Sequence, residues 1–262
     1  MPGGLVINSR VSKDRWVTRT MSWREIAWNG VRFCAPAAWE AAKIGPRYLL
    51  LADQGEPALE IKWERVKGRF SPGTALKRLK AMHGDTVKES SLPEEWEGIL
   101  SDFTVLGFSW QAATGRGKGV ILHCPDCGNV TLIQFFGTLA GSTGGTCRRV
   151  LASFKDHRRD NRVCWSLFDI RAEIPAEYPL VRYGFEAGRF ELHFGSRGQQ
   201  IALYRWGPAL ALLESGDLLD FAEKTIRVDR SEWNRLTWIE HPAVRWAPSV
   251  SGGIWTRWRE RM

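Results

Sequence analysis

Apolar and polar positions alternate in short runs along most of the chain, and the runs break at Gly, Pro or Asn/Asp turns. That rhythm predicts many half-buried strands and only a few helices. Trp23, Ile26 and Trp28 open a first strand, Gly30 turns the chain, and Val31–Ala35 alternates as a second. Pro36 ends its ladder, because proline has no N–H to donate. Trp39 packs back, and Tyr48–Ala52 and Ala58–Trp63 follow as a hairpin around Asp53–Pro57. In the last run Leu59, Ile61 and Trp63 share one face, and Glu60 and Lys62 take the other.

Helical spacing is confined to three places. Ser71-Pro72 is an N-cap followed by a first-turn proline, which predicts a helix to about Met82 with Leu76 and Leu79 inward. A second helix is expected over about Cys147–His157, and a third from Leu218 to about Ile226, capped by Asp217. Between them lie strand-like Phe103–Phe108, a turn at Gly115-Arg116-Gly117-Lys118-Gly119, and strands at Val120–His123 and Val130–Phe136. A Gly/Ser/Thr loop is expected from Gly137 to Thr146.

The pattern restarts. Pro36 and Pro175 are 139 positions apart, Trp63 and Trp206 are 143 apart, and Trp110 and Trp246 are 136 apart. Ordered anchors at nearly constant offset are what tandem copies with small insertions leave behind. The expected organisation is a polar leader at 1–20, a first module at 21–158 and a second, shortened module at 159–262. At an offset of 136 the second copy stops where the first reaches Cys-Pro-Asp-Cys-Gly, so its last strand and closing helix have no counterpart. Either the end of the chain differs from the first module, or the second sheet's edge is completed by something else, and an uncovered edge of that kind implies a protein partner.

A strand ending in Pro-x-x-Trp, an antiparallel sheet, a helix, further strands and a closing helix carrying Val-Leu-Ala-Ser-Phe (Val150–Phe154) together resemble the PsbP-like group. That group includes the photosystem extrinsic subunit and the Ran-binding Mog proteins. The resemblance implies an α/β sandwich with a central antiparallel sheet; with the repeat, the expected fold is α+β, two tandem modules, each an antiparallel sheet packed with helices, the second incomplete. It also implies binding or assembly rather than catalysis. No site residues carry over, because none of the family's functional motifs matches.

Composition refines this picture. The hydrophobic fraction of 44% is enough to bury a core. Fourteen Trp are many for 262 residues, and each wants a partner for its indole N–H, so sheet edges and interfaces are their expected places. No apolar run reaches the roughly 18 residues needed to span a bilayer. The N-terminus lacks the apolar centre of a secretory signal. Five Cys, an odd count, suit a reducing compartment. These features point to a soluble, cytoplasmic protein without membrane contact.

Cys124 and Cys127 form the sharpest local motif. In Cys-Pro-x-Cys-Gly two thiolates can converge on one ion while Gly allows the tight turn. A structural zinc site needs two more ligands. Cys147, His123 and His157 are the candidates, with Cys34 and Cys164 as alternatives. A reduced thiol pair on a β-turn fits the same residues. No metalloprotease motif, phosphate loop, nucleophile elbow or paired acid and base is present, so no enzymatic activity is expected. His193 is expected to be exposed.

The net charge of +8 leaves partners open. Another protein, or self-association through the sheet of the second module, is the leading expectation. The alternative is a nucleic-acid-associated protein, with Arg148, Arg149, Arg158, Arg159, Arg257, Trp258 and Arg259 supplying phosphate and stacking contacts.

Overall fold

A computed structural model of the chain describes residues 5–7, 22–66, 70–84, 86–113, 115–141, 144–157, 160–213, 216–227 and 233–246. The elements in chain order begin with β1 (Leu5–Ile7), β2 (Trp23–Trp28), β3 (Val31–Pro36), β4 (Glu40–Gly45), β5 (Tyr48–Asp53) and β6 (Glu56–Arg65). Next come α1 (Pro72–His83), β7 (Lys88–Glu89), α2 (Glu94–Glu97), β8 (Thr104–Ala112), β9 (Gly115–His123), β10 (Asn129–Phe136) and α3 (Gly145–Ser153). The remainder is β11 (Arg162–Leu167), β12 (Ile170–Pro175), β13 (Leu180–Glu186), β14 (Arg189–Ser196), β15 (Gln199–Trp206), α4 (Ala209–Leu213), α5 (Leu218–Ile226), β16 (Trp233–Trp238) and β17 (His241–Trp246). The fold class is α+β, with antiparallel sheets and a few short helices. Among the described residues no helix is long and apolar enough to cross a membrane.

Among the described residues the strands form four sheets, with orders β4-β5-β6-β10-β9-β8-β7, β12-β11-β2-β3, β13-β14-β15 and β1-β17-β16. The chain divides into a larger compact unit, 18–180 with 194–201, and a smaller one, 1–17 with 181–193 and 202–262. Residues 159–180, expected in the second module, therefore belong to the same unit as the first. The expected leader is also not wholly featureless. Leu5–Ile7 pairs antiparallel with Ala243–Arg245, since a short apolar, β-branched run suits a strand once a ladder is at hand.

Within the larger unit the seven-stranded sheet has two different faces. On one, Leu49, Leu51, Leu59, Ile61, Ile133 and Phe135 are buried in register. Trp28 of β2 donates its indole N–H to the Gly45 carbonyl at 2.7 Å, and Trp63 donates to Asn29 at 3.3 Å. These bonds satisfy indoles whose rings stay in the core, as buried Trp requires. On the other face α1 closes over Leu106, Phe108, Ile121 and Leu132 with Leu79 inward. Its start is as expected, with the Ser71 hydroxyl accepting from the Thr74 N–H at 3.4 Å.

Three local expectations need correction. Glu40–Gly45 is a strand although Glu-Ala-Ala-Lys-Ile-Gly shows no alternation. It pairs with β5 across an irregularity between Ala41 and Lys43, so tertiary pairing overrides weak propensity. Gly115–Gly119 is strand rather than turn. A Cβ on Gly119 would lie 2.1 Å from the Ile133 carbonyl oxygen, and one on Gly117 2.3 Å from Trp110 Nε1. These glycines serve close approach rather than reversal. The helix expected over Cys147–His157 stops at Ser153. Phe154 turns extended, and Lys155 exchanges two backbone hydrogen bonds with Arg32 at 2.9 and 2.8 Å.

The two hairpins of the four-stranded sheet correspond residue for residue. β2 and β3 begin at 23 and 31, β11 and β12 at 162 and 170, each 139 later. Trp23 pairs with Pro36, as Arg162 does with Pro175. Ala27 pairs antiparallel with Ser166, its own counterpart at that offset, so the hairpins meet edge to edge about a local twofold. Both turn on two residues with positive φ, Asn29-Gly30 at 43° and 98°, and Phe168-Asp169 at 51° and 63°. Further along, β4-β5-β6 and β13-β14-β15 are both three-stranded meanders, and α1 and α5 start 146 residues apart.

Candidate metal centre

The centre lies wholly in the larger unit and is assembled from two directions. The first is the reversal between β9 and β10. The Cys124 N–H donates to the Asn129 carbonyl at 2.9 Å and the Gly128 N–H to the Cys124 carbonyl at 3.0 Å. Gly128 takes φ 71°, a conformation other residues adopt at a cost. This tight loop turns both sulfurs to one side. The second direction is the segment after α3. Val150, Leu151 and Phe154 are buried and anchor it, the Ser153 hydroxyl accepts from the Cys34 N–H at 2.9 Å, and Lys155 is fixed to Arg32. Asp156 and His157 are thereby held over the knuckle.

The ligand atoms of Cys124, Cys127, Asp156 and His157 all lie within 4.8 Å of one another. Cys124 Sγ is 3.4 Å from His157 Nδ1, Cys127 Sγ is 3.5 Å from Asp156 Oδ2, and His157 Nδ1 is 2.8 Å from Asp156 Oδ1. Around a tetrahedral zinc with bonds of about 2.0–2.3 Å, neighbouring ligand atoms stand roughly 3.2–3.8 Å apart, so the two sulfur distances already match. Asn129 Nδ2 donates to the Asp156 backbone carbonyl at 2.9 Å, an outer contact that fixes the aspartate.

The donor chemistry fits a cation. Asp156 is 3% exposed, and its carboxylate faces the imidazole of His157, 40% exposed, and the Cys127 sulfur. Burial, with the neighbouring Cys124 thiol and Asp156, pushes the Cys127 thiol up to about 12. Without a positive charge the raised Cys127 thiol stays protonated beside the buried Asp156 side chain. A divalent ion removes that conflict by stabilising the thiolates and the carboxylate together.

Of the expected ligands, Cys124, Cys127 and His157 are brought together, and Asp156 joins them. In the sequence Asp156 read as one charge in a basic run, although an acid next to a candidate histidine was a usable signal. His123 and Cys147 stand outside the cluster. His123 ends β9 with its ring stacked on Phe70, centroids 4.9 Å apart. Cys147 is buried in α3, its thiol 3.6 Å from the Leu139 carbonyl and pushed up to about 11 by burial. Cys34 and Cys164 are also elsewhere. Cys164 approaches Glu25 at 4.0 Å, and burial raises its thiol.

The basic residues are less convergent. Arg148 is exposed, whereas the Arg149 guanidinium stacks 4.2 Å over the ring of Trp23 in the same unit. Arg158, Arg159, Arg257, Trp258 and Arg259 lie outside the described residues. His193 is half-buried rather than exposed, 3.0 Å from Arg182 and 3.6 Å from Glu191, because β14 turns it into a charged cluster.

No family model matches the chain, and no curated protein does. Among solved structures, one from Bacteroides thetaiotaomicron VPI-5482 is similar at 13% identity and a TM-score of 0.28. The match covers 52% of this chain and 49% of that one, so the chain spans about half the length of that structure.

Proposed function

We propose that this is a non-enzymatic binding and assembly protein built on two copies of one PsbP-like α+β module, in which a structural zinc ion staples the larger unit. The observation that carries the zinc reading is the convergence of Cys124, Cys127, Asp156 and His157 from two separate chain segments. Zinc would supply a cross-link and charge neutralisation. Four protein ligands close a tetrahedral shell and leave no position for a substrate or an activated water, so the site is structural. Its place between the β9–β10 knuckle and the strand-like segment on β3 makes it a clamp on the sandwich.

The binding role is supported by a different part of the chain. Val181, Tyr204, Leu210, Leu212, Ile226 and Trp238 are large apolar residues left exposed, and all fall in the smaller unit. The exposed large apolar residues among those described are confined to that unit, which makes it the favoured place for a contact surface. Protein is therefore the favoured partner.

The test is metal analysis of the protein purified without chelator. One zinc per chain is expected, falling well below one in Cys124→Ser and Asp156→Ala and unchanged in Cys147→Ser. Cobalt substitution should give thiolate-to-metal charge transfer that Cys127→Ser weakens. A purified, folded chain with no bound zinc and no cobalt spectrum would exclude the centre.

A further inference from the structure

The larger unit's sheet has seven rungs, in the order β4-β5-β6-β10-β9-β8-β7. Six have counterparts later in the chain or at its start. The meander β13-β14-β15 answers β4-β5-β6. β17 answers β8, with Trp246 at the place of Trp110, and β16 pairs with β17 as β7 pairs with β8. β1 lies antiparallel on the other side of β17, where β9 lies on β8. Only β10, the strand that joins the two halves into one sheet, has no counterpart among the described residues. In its absence β13-β14-β15 and β1-β17-β16 stand as separate sheets, with β15 and β1 as edges.

Both edges lie under one helix. α5 packs on β17 and β1, and its Phe221 ring meets Trp206 of β15 with centroids 5.5 Å apart. In the larger unit the corresponding helix covers Val130 and Leu132 of β10. The cluster beneath α5 includes Leu219, Ala222, Trp233 and Val244 with Phe221 and Trp246, and among the described residues no strand takes the β10 position there. Burial tells the same story. β6, flanked by β5 and β10, has five buried residues, whereas β15 has none. Tyr204 on β15 is 39% exposed.

We propose that β15 and β1 flank an acceptor groove for one extended strand of a partner protein. The strand would run antiparallel to β15 and take the place that β10 holds in the larger unit. This deepens the binding role proposed above and rests on it. The partner segment is about seven or eight residues long and alternates, with apolar side chains at every second position to meet α5, as Val130 and Leu132 meet α1. Main-chain hydrogen bonds supply the attraction and the alternate side chains the selectivity.

The test uses the full chain and a synthetic peptide of residues 128–138, which carries β10's own sequence. Amide exchange is followed residue by residue. In the free chain, 199–206 should exchange at least ten-fold faster than 56–65. The peptide should bind saturably and slow exchange at 199–206. Two peptides N-methylated at alternate positions, and one scrambled peptide of the same composition, should bind at least ten-fold more weakly. If all four peptides bind equally and protect α4 around Leu210 instead, strand pairing is overturned while the broader binding role stands. If none binds anywhere, both fall. If 199–206 is already protected in the free chain and deletion of 247–262 exposes it, the chain covers its own edge and the acceptor groove is overturned.

Discussion

β6 and β15 carry similar alternating sequences, Glu-Pro-Ala-Leu-Glu-Ile-Lys-Trp and Gln-Gln-Ile-Ala-Leu-Tyr-Arg-Trp, and meet opposite fates. β6 is a central strand, buried on both faces near its middle, with even Glu60 enclosed beside Gln134 and 2.9 Å from Lys62. β15 stays at an edge and half exposed. The difference lies in what each strand is given to pair with. A strand's burial is decided by its neighbours in the sheet, and a local pattern states only that it is ready to be buried.

That contrast gives an ordering of effects. The largest follows from the candidate metal centre, the one such cluster among the described residues, which lies in the larger unit. Chelation, or Cys124→Ser, removes a cross-link of the kind whose binding contributes on the order of 10 kcal/mol to folding in small zinc domains. The larger unit should melt far earlier in calorimetry while amides of α5 and β17 keep their exchange rates. Equal loss in both units would break the comparison. Because both thiols must ionise to hold the ion and Cys127 sits near 12 when free, zinc uptake near pH 7 should release protons and weaken as pH falls. Titration calorimetry in two buffers of different ionisation enthalpy reads that release directly.

Core truncation comes next. Phe108→Ala empties a fully enclosed site under α1 and should cost about 3–5 kcal/mol in urea unfolding. Leu210→Ser, at a side chain 81% exposed, should stay within about 0.5 kcal/mol.

The paired hairpins allow a finer test. Asn29-Gly30 suits a turn with two positive φ values, whereas Phe168-Asp169 adopts the same conformation without the residues that favour it. Exchanging in the better chemistry, Phe168→Asn with Asp169→Gly, should stabilise the larger unit by about 1 kcal/mol. The reverse change, Asn29→Phe with Gly30→Asp, should destabilise it by a similar amount.

The smallest expected effect separates the two helix starts. The Ser71 hydroxyl accepts from one helix N–H, that of Thr74 at 3.4 Å, and from the Thr74 hydroxyl at 3.2 Å, whereas Asp217 accepts from the Leu219 and Asp220 N–H groups and completes a capping box. Asp217→Ala should cost about 1 kcal/mol and Ser71→Ala less. The Arg235 guanidinium, followed by the helix N–H groups, holds the Asp217 carboxyl down at about 2. Its contribution is therefore complete above the ordinary carboxylate value near 4 and is lost as pH falls toward 2. Thermal melts of wild type and Asp217→Asn between pH 5 and pH 2 should converge at the acid end.

Much of the local order was legible in the residues. Asn-Gly marks a hairpin, Ser-Pro and Asp217 mark helix starts, and Cys-Pro-Asp-Cys-Gly marks a knuckle, because each acts through contacts a few positions away. The 139-residue offset between Pro36 and Pro175 was legible too, and it corresponds to one hairpin repeated about Ala27 and Ser166. What stayed hidden depends on distant partners. β4 is a strand only because β5 accepts it, and Gly117 and Gly119 are strand residues only because Trp110 and β10 press against them. Leu5–Ile7 needs β17, more than 230 residues away. Asp156 looked like one more charge in a solvated run until α3 ended early and the chain swung it over the knuckle.

X-ray absorption at the zinc edge of the loaded full-length chain addresses the central assignment most directly. Two sulfurs at about 2.3 Å and two nitrogen or oxygen atoms at about 2.0 Å are expected, with one sulfur lost in Cys127→Ser and none lost in Cys147→Ser. A shell of three or four sulfurs, or of oxygen and nitrogen alone, would contradict the assignment of Cys124, Cys127, Asp156 and His157.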